Sequence, residues 1–205
     1  MLIAFWGASV VNLALVAGQV SPWDSLTKAL LMPLLAAWVL TRGGPRLIVA
    51  ALLLSWAGDV FMEIDGLLIV GMAFFGAAHV CYITYFLRTG AWTRLRARLV
   101  ILAVYLLVWA AMMALLWPGL GDLRLPVAGY SLLLTSTAIL AATLGVQAAV
   151  GGVLFLLSDS LIAVELAKLP QLPMNGLIIM ATYVVAQYLL AAGILQRSRA
   201  VGNDG

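Results

Sequence analysis

Two aspartates, Asp59 and Asp159, lie inside apolar stretches of the sequence that are long enough to belong to membrane-spanning helices. A charge at the centre of a bilayer costs about 2.5–3.5 kcal/mol on insertion scales, so such residues are rare and usually face a cavity or a partner. Each of the two directly follows a small or hydroxylated residue, Gly58 or Ser158. This pattern predicts that the two carboxyl groups share one functional site.

Two carboxyl groups that meet in an apolar site hold one proton between them at neutral pH, because two neighbouring negative charges disfavour each other. One group then serves as an acid and the other as a base. A pair of this kind hydrolyses glycosidic bonds through an oxocarbenium-like transition state. The pair formed by Asp59 and Asp159 therefore indicates a hydrolytic site, although it leaves open which bond is cleaved.

The composition indicates that lipid surrounds most of the chain. Of its 205 residues, 65% are hydrophobic and only 9% are charged, whereas soluble domains carry about 25% charged residues. The single cysteine excludes a disulfide framework and a CxxC site. The apolar N-terminus has no basic region before it and is interpreted as a retained span. Residues 1–205 are thus expected to form one integral membrane domain, with the bilayer as a partner and no nucleic acid.

A transmembrane helix needs about 20 apolar residues. Charges, prolines and glycines divide the sequence into apolar runs that predict eight spans. The uncharged run from Leu125 to Ser158 is too long for one span and is divided near Gly145. The predicted spans are 2–20, 24–41, 47–64, 66–87, 99–117, 126–143, 147–166 and 174–196. The fold class is therefore predicted to be an all-α, polytopic membrane bundle of eight transmembrane helices.

The distribution of basic residues predicts the orientation of this bundle. Most of them fall on one side of the predicted spans, namely Arg42, Arg46, Arg88, Arg94, Arg96, Arg98, Arg197 and Arg199. The other side has Lys28, Arg124 and Lys168. The positive-inside rule then places both termini in the cytoplasm and both aspartates in the outer half of the membrane. The arginines at 94–98 are interpreted as a topology determinant that also contacts anionic lipids.

Polar residues on four predicted spans could complete the site. Ser55 lies one turn before Asp59 and shares its helix face. Lys28, near the outer end of the second span, could pair with a lipid phosphate or an aspartate, or snorkel to the interface. The fourth and eighth spans each carry two further polar side chains, which could line the same cavity: His79, Tyr82, Tyr183 and Gln187. His79 could equally be a satisfied interior residue.

Several other hydrolase sites do not fit the sequence. One histidine cannot form a three-histidine zinc site, although a mixed metal site of Asp59, His79 and Asp159 remains open. The GxSxG motif of serine hydrolases is absent. An intramembrane aspartyl protease would carry GxGD, whereas this chain has Trp56-Ala57-Gly58-Asp59.

Five motifs occur in a fixed order along the chain. They are Thr27-Lys28-Ala29-Leu30, Ser55-xx-Gly58-Asp59, Phe75-xxx-His79-xx-Tyr82, Phe155-xx-Ser158-Asp159-Ser160 and Tyr183-xxx-Gln187. With them the chain resembles the lysoplasmalogenase family, also called YhhN-like membrane proteins, over most of its length. The sixth predicted span departs from the family pattern, because Gly129-Tyr130-Ser131 matches while Ser136 stands in place of a Met-rich stretch.

This resemblance implies an eight-helix hydrolase of the vinyl-ether bond in lysoplasmalogens, a class of lysophospholipid. The products would be a fatty aldehyde and glycerophosphoethanolamine or glycerophosphocholine. Asp59 and Asp159 would be the catalytic pair, and neither a cofactor nor a metal would be needed. The residues expected to bind substrate are Lys28, Ser55, His79, Tyr82, Ser158, Tyr183 and Gln187. A bacterial member would lie in the cytoplasmic (inner) membrane, and its oligomeric state stays open.

Two alternatives remain. In a proton-coupled transporter or carrier of a lipid-like amphiphile, the paired carboxyl groups would relay protons. Transporters more often interrupt helices with Gly or Pro at matching positions of two halves, and the main such break here is Gly151-Gly152. A lipid-binding structural protein without turnover is the second alternative. A closed cavity open to one side would favour the hydrolase, and a path open alternately to both sides would favour transport.

Overall fold

The computed structural model of the chain describes the backbone of residues 1–203 and the side chains of residues 1–199. Over this range the protein is all-α, with nine α-helices and a short 3-10 helix at Gly121–Leu123. The helices are α1 (Leu2–Ala17), α2 (Trp23–Thr41), α3 (Arg46–Met62), α4 (Leu68–Arg88), α5 (Ala91–Arg96), α6 (Leu99–Leu116), α7 (Arg124–Ala141), α8 (Val146–Leu166) and α9 (Asn175–Asn203). The all-α prediction is confirmed.

A long helix occurs in each of the eight ranges where a span is predicted. Six of them are long and apolar enough to cross a membrane, namely α2, α4, α6, α7 with the preceding 3-10 turn, α8 and α9. The protein is therefore a multi-pass membrane protein. Helices α1 and α3 are shorter, with 16 and 17 residues. The full count of eight crossings and the orientation of the termini stay predictions.

Helix α1 is held in place by polar and aromatic contacts with α2 and α9. Asn12 is fully buried, and its amide donates hydrogen bonds to the Asp24 carbonyl at 2.7 Å and to Thr27 Oγ1 at 3.0 Å. Nearby, Tyr188 of α9 packs between Trp6 and Trp38, with ring centroids 5.0 Å and 5.7 Å apart. The Asn12 contacts fix the beginning of α2, which carries Lys28, and the aromatic contacts fix its other end.

Glycines allow two helix pairs to approach closely. A Cβ atom at Gly71 of α4 would overlap the Met62 side chain of α3. A Cβ atom at Gly151 of α8 would lie 2.8 Å from the backbone nitrogen of Leu190 of α9. Small residues at helix interfaces permit such backbone contact inside membranes. The two aspartate-bearing helices, α3 and α8, are therefore each locked against the helix that follows them.

One connection between helices lies where the sequence predicts it, and another contains a helix that the sequence analysis did not predict. The long apolar run breaks at Gly145, whose φ of +150° favours glycine. The unpredicted helix α5 lies in the arginine-rich loop. Its Arg94 donates to the Thr89 carbonyl at 2.9 Å and to the Thr143 carbonyl at 3.1 Å. This arginine thus ties the ends of α4 and α7 together, in addition to any role in topology.

Helix α6 lies at the edge of the bundle. It packs against α5 and α7, and its only buried residues are Met113 and Leu116. One polar contact anchors it, since Trp109 Nε1 donates to Ser131 Oγ of α7 at 3.0 Å. Most of α6 is therefore exposed, in keeping with a helix that faces lipid.

Candidate functional site

Both aspartates line one cavity, which is called the central cavity below. It encloses about 640 Å³ of space, part of it open to the surroundings. Helices α2, α3, α4, α7, α8 and α9 contribute to its walls. Its polar lining consists of Lys28, Asp59, Tyr130, Ser158, Asp159 and Tyr183. The structure thus brings together two carboxyl groups that are far apart in the sequence, as the sequence analysis expects.

Asp59 has the surroundings of a carboxylate anion. Its side chain is almost completely buried. The ammonium group of Lys28 lies 3.5 Å from Oδ1, and the hydroxyl of Tyr183 donates a hydrogen bond to Oδ2 at 2.7 Å. Buried charges are found where they are paired and hydrogen-bonded, and this carboxyl group has both kinds of partner.

Lys28 is shared between two carboxylates. Its Nζ lies 2.9 Å from Glu63 Oε1, and Ser25 Oγ donates to Glu63 Oε2 at 2.8 Å. These residues border a second space of about 610 Å³, called the entrance cavity, which Lys28 and Asp59 also line. It lies at the end of the bundle where α2 begins and α3 ends. One ammonium group therefore separates the entrance cavity from the central cavity.

Asp159 has a different set of partners. The Tyr130 hydroxyl donates to its Oδ2 and also lies 3.4 Å from His79 Nε2. His79 Nδ1 is 3.1 Å from Thr137 Oγ1, and Thr137 donates its own hydrogen to the Leu133 carbonyl. Because the Thr137 hydroxyl hydrogen is used in this way, Thr137 can only accept a hydrogen bond from His79. We infer that Nδ1 carries the imidazole hydrogen. The Nε2 lone pair consequently faces Tyr130.

Three further predicted site residues form a separate hydrogen-bonded layer. Tyr82 donates to Gln187 Oε1 at 2.9 Å, and Gln187 Nε2 donates to Ser55 Oγ at 3.3 Å. All three are fully buried. Their polar groups satisfy one another between the helices, as buried polar groups generally do. They therefore connect α3, α4 and α9 beneath the central cavity.

The structure differs here from the expectation that all the polar candidates line one cavity. Lys28, Ser158 and Tyr183 do line it, whereas Ser55, His79, Tyr82 and Gln187 do not. The hydroxyl of Ser158 is also engaged, because it donates to the Ile179 carbonyl at 3.1 Å. The physical reason is depth, since Ser55 lies one turn before Asp59 in α3 and Gln187 lies one turn after Tyr183 in α9, which places both deeper in the bundle.

Sequence reasoning did not assign Tyr130 and Phe75 to the site. Tyr130 contacts Asp159 directly, and the Phe75 ring lies between Tyr130 and Tyr183 with centroids 6.5 Å and 6.2 Å away. Tyr130 could have been predicted from the sequence, because it lies inside an apolar span as Tyr183 does. Phe75 carried none beyond its place in a motif.

The mixed metal site of Asp59, His79 and Asp159 is not assembled among the described residues. No group of three His, Cys, Asp or Glu side chains in this part of the chain is placed to hold a metal ion. The His79 nitrogen atoms face Thr137 and Tyr130 instead.

Comparisons with known proteins agree with the motifs. The model of the YhhN family matches residues 23–194. Lysoplasmalogenase TMEM86B of Homo sapiens is 32% identical over 183 residues, which cover 87% of this chain and 78% of that protein. Lysoplasmalogenase TMEM86B of Rattus norvegicus is 31% identical over 163 residues, covering 78% of this chain and 66% of that protein. No solved structure is significantly similar to the chain.

Proposed function

The chain belongs to the YhhN family, and on this basis we propose that it is a membrane-embedded hydrolase of lysoplasmalogens. It would cleave the vinyl-ether bond and release a fatty aldehyde and glycerophosphoethanolamine or glycerophosphocholine. The relatives named lysoplasmalogenase support this substrate. The observation that carries the proposal is a single membrane-embedded cavity lined by two carboxyl groups with different partners.

These partners divide the roles between the two aspartates. Asp59 is the anion, because Lys28 and Tyr183 compensate its charge. Asp159 has no ion-pair partner among the described residues and carries the proton. When Asp159 is protonated, it donates to the Tyr130 oxygen, and the Tyr130 hydrogen turns to the His79 Nε2 lone pair. The Tyr130 and His79 pair thus accommodates both protonation states of the acid.

The reaction first forms a hemiacetal and then breaks it down. Asp159 transfers its proton to the β-carbon of the vinyl ether, which leaves an oxocarbenium ion at the α-carbon next to the Asp59 carboxylate. Water adds to the α-carbon while Asp59 takes its proton, and a hemiacetal forms. Asp159 then takes the hemiacetal hydroxyl proton, the bond from the α-carbon to the glycerol oxygen breaks, and Asp59 protonates that oxygen. Both aspartates return to their starting states, and general acid–base catalysis of this kind contributes about 10²–10⁴-fold.

Lys28 is placed to receive the lipid headgroup. Its ammonium group borders both the entrance cavity and the central cavity. In the proposed complex the substrate phosphate binds beside Lys28 and competes with Glu63 for the ammonium group. The vinyl ether then lies deeper, between Asp59 and Asp159. The same proposal includes eight crossings by residues 1–205, cytoplasmic termini, and a bacterial cytoplasmic membrane as the location, which puts the entrance cavity on the outer side.

The direct test is incubation of the purified protein with 1-alkenyl-glycerophosphoethanolamine in detergent micelles. We expect fatty aldehyde and glycerophosphoethanolamine in equal amounts by mass spectrometry. The 1-alkyl analogue, which lacks the double bond, should not react, because it has no β-carbon that can be protonated to an oxocarbenium ion. Absence of aldehyde would overturn the proposal, and proton-coupled movement of the lipid across liposomes would then favour the transporter.

A further inference from the structure

A third cavity adjoins the site on the side away from Lys28. It comprises about 510 Å³ of space between α6, α7 and α8, part of it open to the surroundings, and is called the inner cavity here. Its walls are mostly apolar, with Val108, Met112, Met113, Leu134 and Leu156 among the lining residues.

The inner cavity lies directly beside the reaction site. Val127, Tyr130, Asp159 and Ala163 line both the inner cavity and the central cavity. Lys28 and Asp59 line both the central cavity and the entrance cavity. The three spaces therefore follow one another in a row, called the path below, and each of the two carboxyl groups lies at one of its boundaries.

The two ends of this path differ in position and in the charged residues that border them. The entrance cavity lies at the ends of α2 and α3, where Ser25, Lys28 and Glu63 provide charges and a hydroxyl group. The inner cavity reaches Val108 and Leu156, which lie near the middle of α6 and α8. The middle of a transmembrane helix lies at the apolar centre of the bilayer. An amphiphile in the path would thus have its polar end at Lys28 and its apolar end in the inner cavity.

We propose that the inner cavity binds the hydrocarbon chain of the lipid substrate, a proposal that rests on the lysoplasmalogenase function above. The position of the proposed acid between the central and inner cavities agrees with this assignment. The carbon protonated in a vinyl ether is the one on the chain side of the double bond, and the acid Asp159 stands at the junction with the inner cavity. The glycerol oxygen lies on the other side, toward Asp59 and Lys28.

Helix α6 forms the side of the inner cavity that faces lipid. Only Met113 and Leu116 of this helix are buried, so the wall of the inner cavity that α6 forms is thin and adjoins lipid.

Filling the inner cavity tests this assignment. Met112→Trp places a larger side chain in the cavity, and Leu107→Trp is the matched control, because Leu107 lies on the same helix and is 71% exposed. Turnover is compared for hexadecenyl and octenyl lysoplasmalogens. We expect Met112→Trp to lower the ratio of kcat/KM for the long chain to that for the short chain by about tenfold or more, and Leu107→Trp to leave the ratio unchanged. An unchanged ratio in Met112→Trp, or an equal loss for both chains, would overturn the assignment.

A second measurement is independent of turnover and of the folding of any variant that fills the cavity. Trp109 lines the inner cavity. A 1-alkyl lysophospholipid brominated along its chain should quench part of the wild-type tryptophan fluorescence, and Trp109→Phe should lack that quenched part. If the wild-type protein released no aldehyde but Trp109 was quenched, the proposed reaction would fail and the chain site would stand. If aldehyde was released without quenching of Trp109, the chain site would be overturned and the reaction would stand.

Discussion

At the residue scale, the two aspartates face one cavity but have unlike partners. Asp59 has an ammonium group at 3.5 Å and a tyrosine donor, whereas Asp159 has a tyrosine that also contacts a histidine. Unlike surroundings are the means by which one fold holds an acid and a base together.

Replacement of either aspartate by asparagine should stop the reaction. Asp59→Asn and Asp159→Asn keep side-chain size and hydrogen bonding but cannot exchange the required proton. Aldehyde release should fall by at least about 10²-fold in each variant, while the size-exclusion profile and helical circular dichroism stay as in the wild type. If a folded variant kept more than about a tenth of the activity, that aspartate would have no place in the mechanism.

His79 should be a positioning residue. It is fully buried and touches Tyr130 and Thr137, but it does not line the central cavity. An imidazolium is also a weaker acid than a carboxylic acid and is less suited to protonating carbon. His79→Gln should therefore slow aldehyde release by less than the aspartate variants do, with a changed pH–rate profile. A folded His79→Gln protein as inactive as Asp159→Asn would require a mechanism in which the histidine acts directly.

Lys28 should contribute to turnover, whereas the other lysine of the chain should not. Lys28→Gln leaves Asp59 and Glu63 close together without their cation, so Asp59 no longer stays an anion. Lys168→Gln is the matched control, because Lys168 is exposed and does not line the central cavity. We expect kcat/KM to fall about tenfold or more for Lys28→Gln and to stay near wild type for Lys168→Gln. Equal effects would show that Lys28 contributes only to membrane placement.

The cost of placing a charge in lipid made the aspartate pair predictable from sequence. The same reasoning predicted more residues in the cavity lining than the structure places there. Ser55, Tyr82 and Gln187 are polar and lie in apolar spans, yet they bond to one another between helices. Residue type and spacing cannot distinguish a side chain that faces a cavity from one that faces a neighbouring helix, because helix rotation is set by packing.

At the element scale, hydropathy located the helices well because each apolar run has nearly the length of the membrane. It could not locate α5, which is too short and too polar to carry that signal. It also could not tell which glycines allow close helix contact and which only interrupt an apolar run, since this depends on the neighbouring helix.

Two glycines of α4 make this distinction testable. A Cβ atom at Gly71 would overlap Met62 and approach the Gly58 carbonyl, whereas a Cβ atom at Gly76 would only come within 3.6 Å of Leu133. Gly71→Ala should therefore lower the free energy of unfolding by about 1–3 kcal/mol. Gly76→Ala should be neutral or stabilising by up to about 1 kcal/mol, because alanine favours the helix. Thermal unfolding in detergent measures both, and an equal response would contradict the close packing of α3 on α4.

At the scale of the whole molecule, the proposed orientation depends on the arginine distribution. In a Cys81→Ala background, Arg96→Cys should react with a membrane-impermeant thiol reagent only from the cytoplasmic side, and Asp122→Cys only from the outer side. Both positions are exposed. The opposite labelling pattern would invert the bundle and bring the entrance cavity to the cytoplasmic surface.

The hydrogen bond between Tyr183 and Asp59 joins residues separated by 124 positions in the chain. Ribosomes add about 5–20 residues per second, so Asp59 emerges many seconds before Tyr183 and Asp159 follow it. Until Asp159 is made, the growing chain contains the proposed anion and its lysine but not the proposed acid, and until Tyr183 is made the anion lacks its tyrosine partner. Under the proposed mechanism, lipid hydrolysis therefore requires both α8 and α9, and a chain truncated before Asp159 should release no aldehyde.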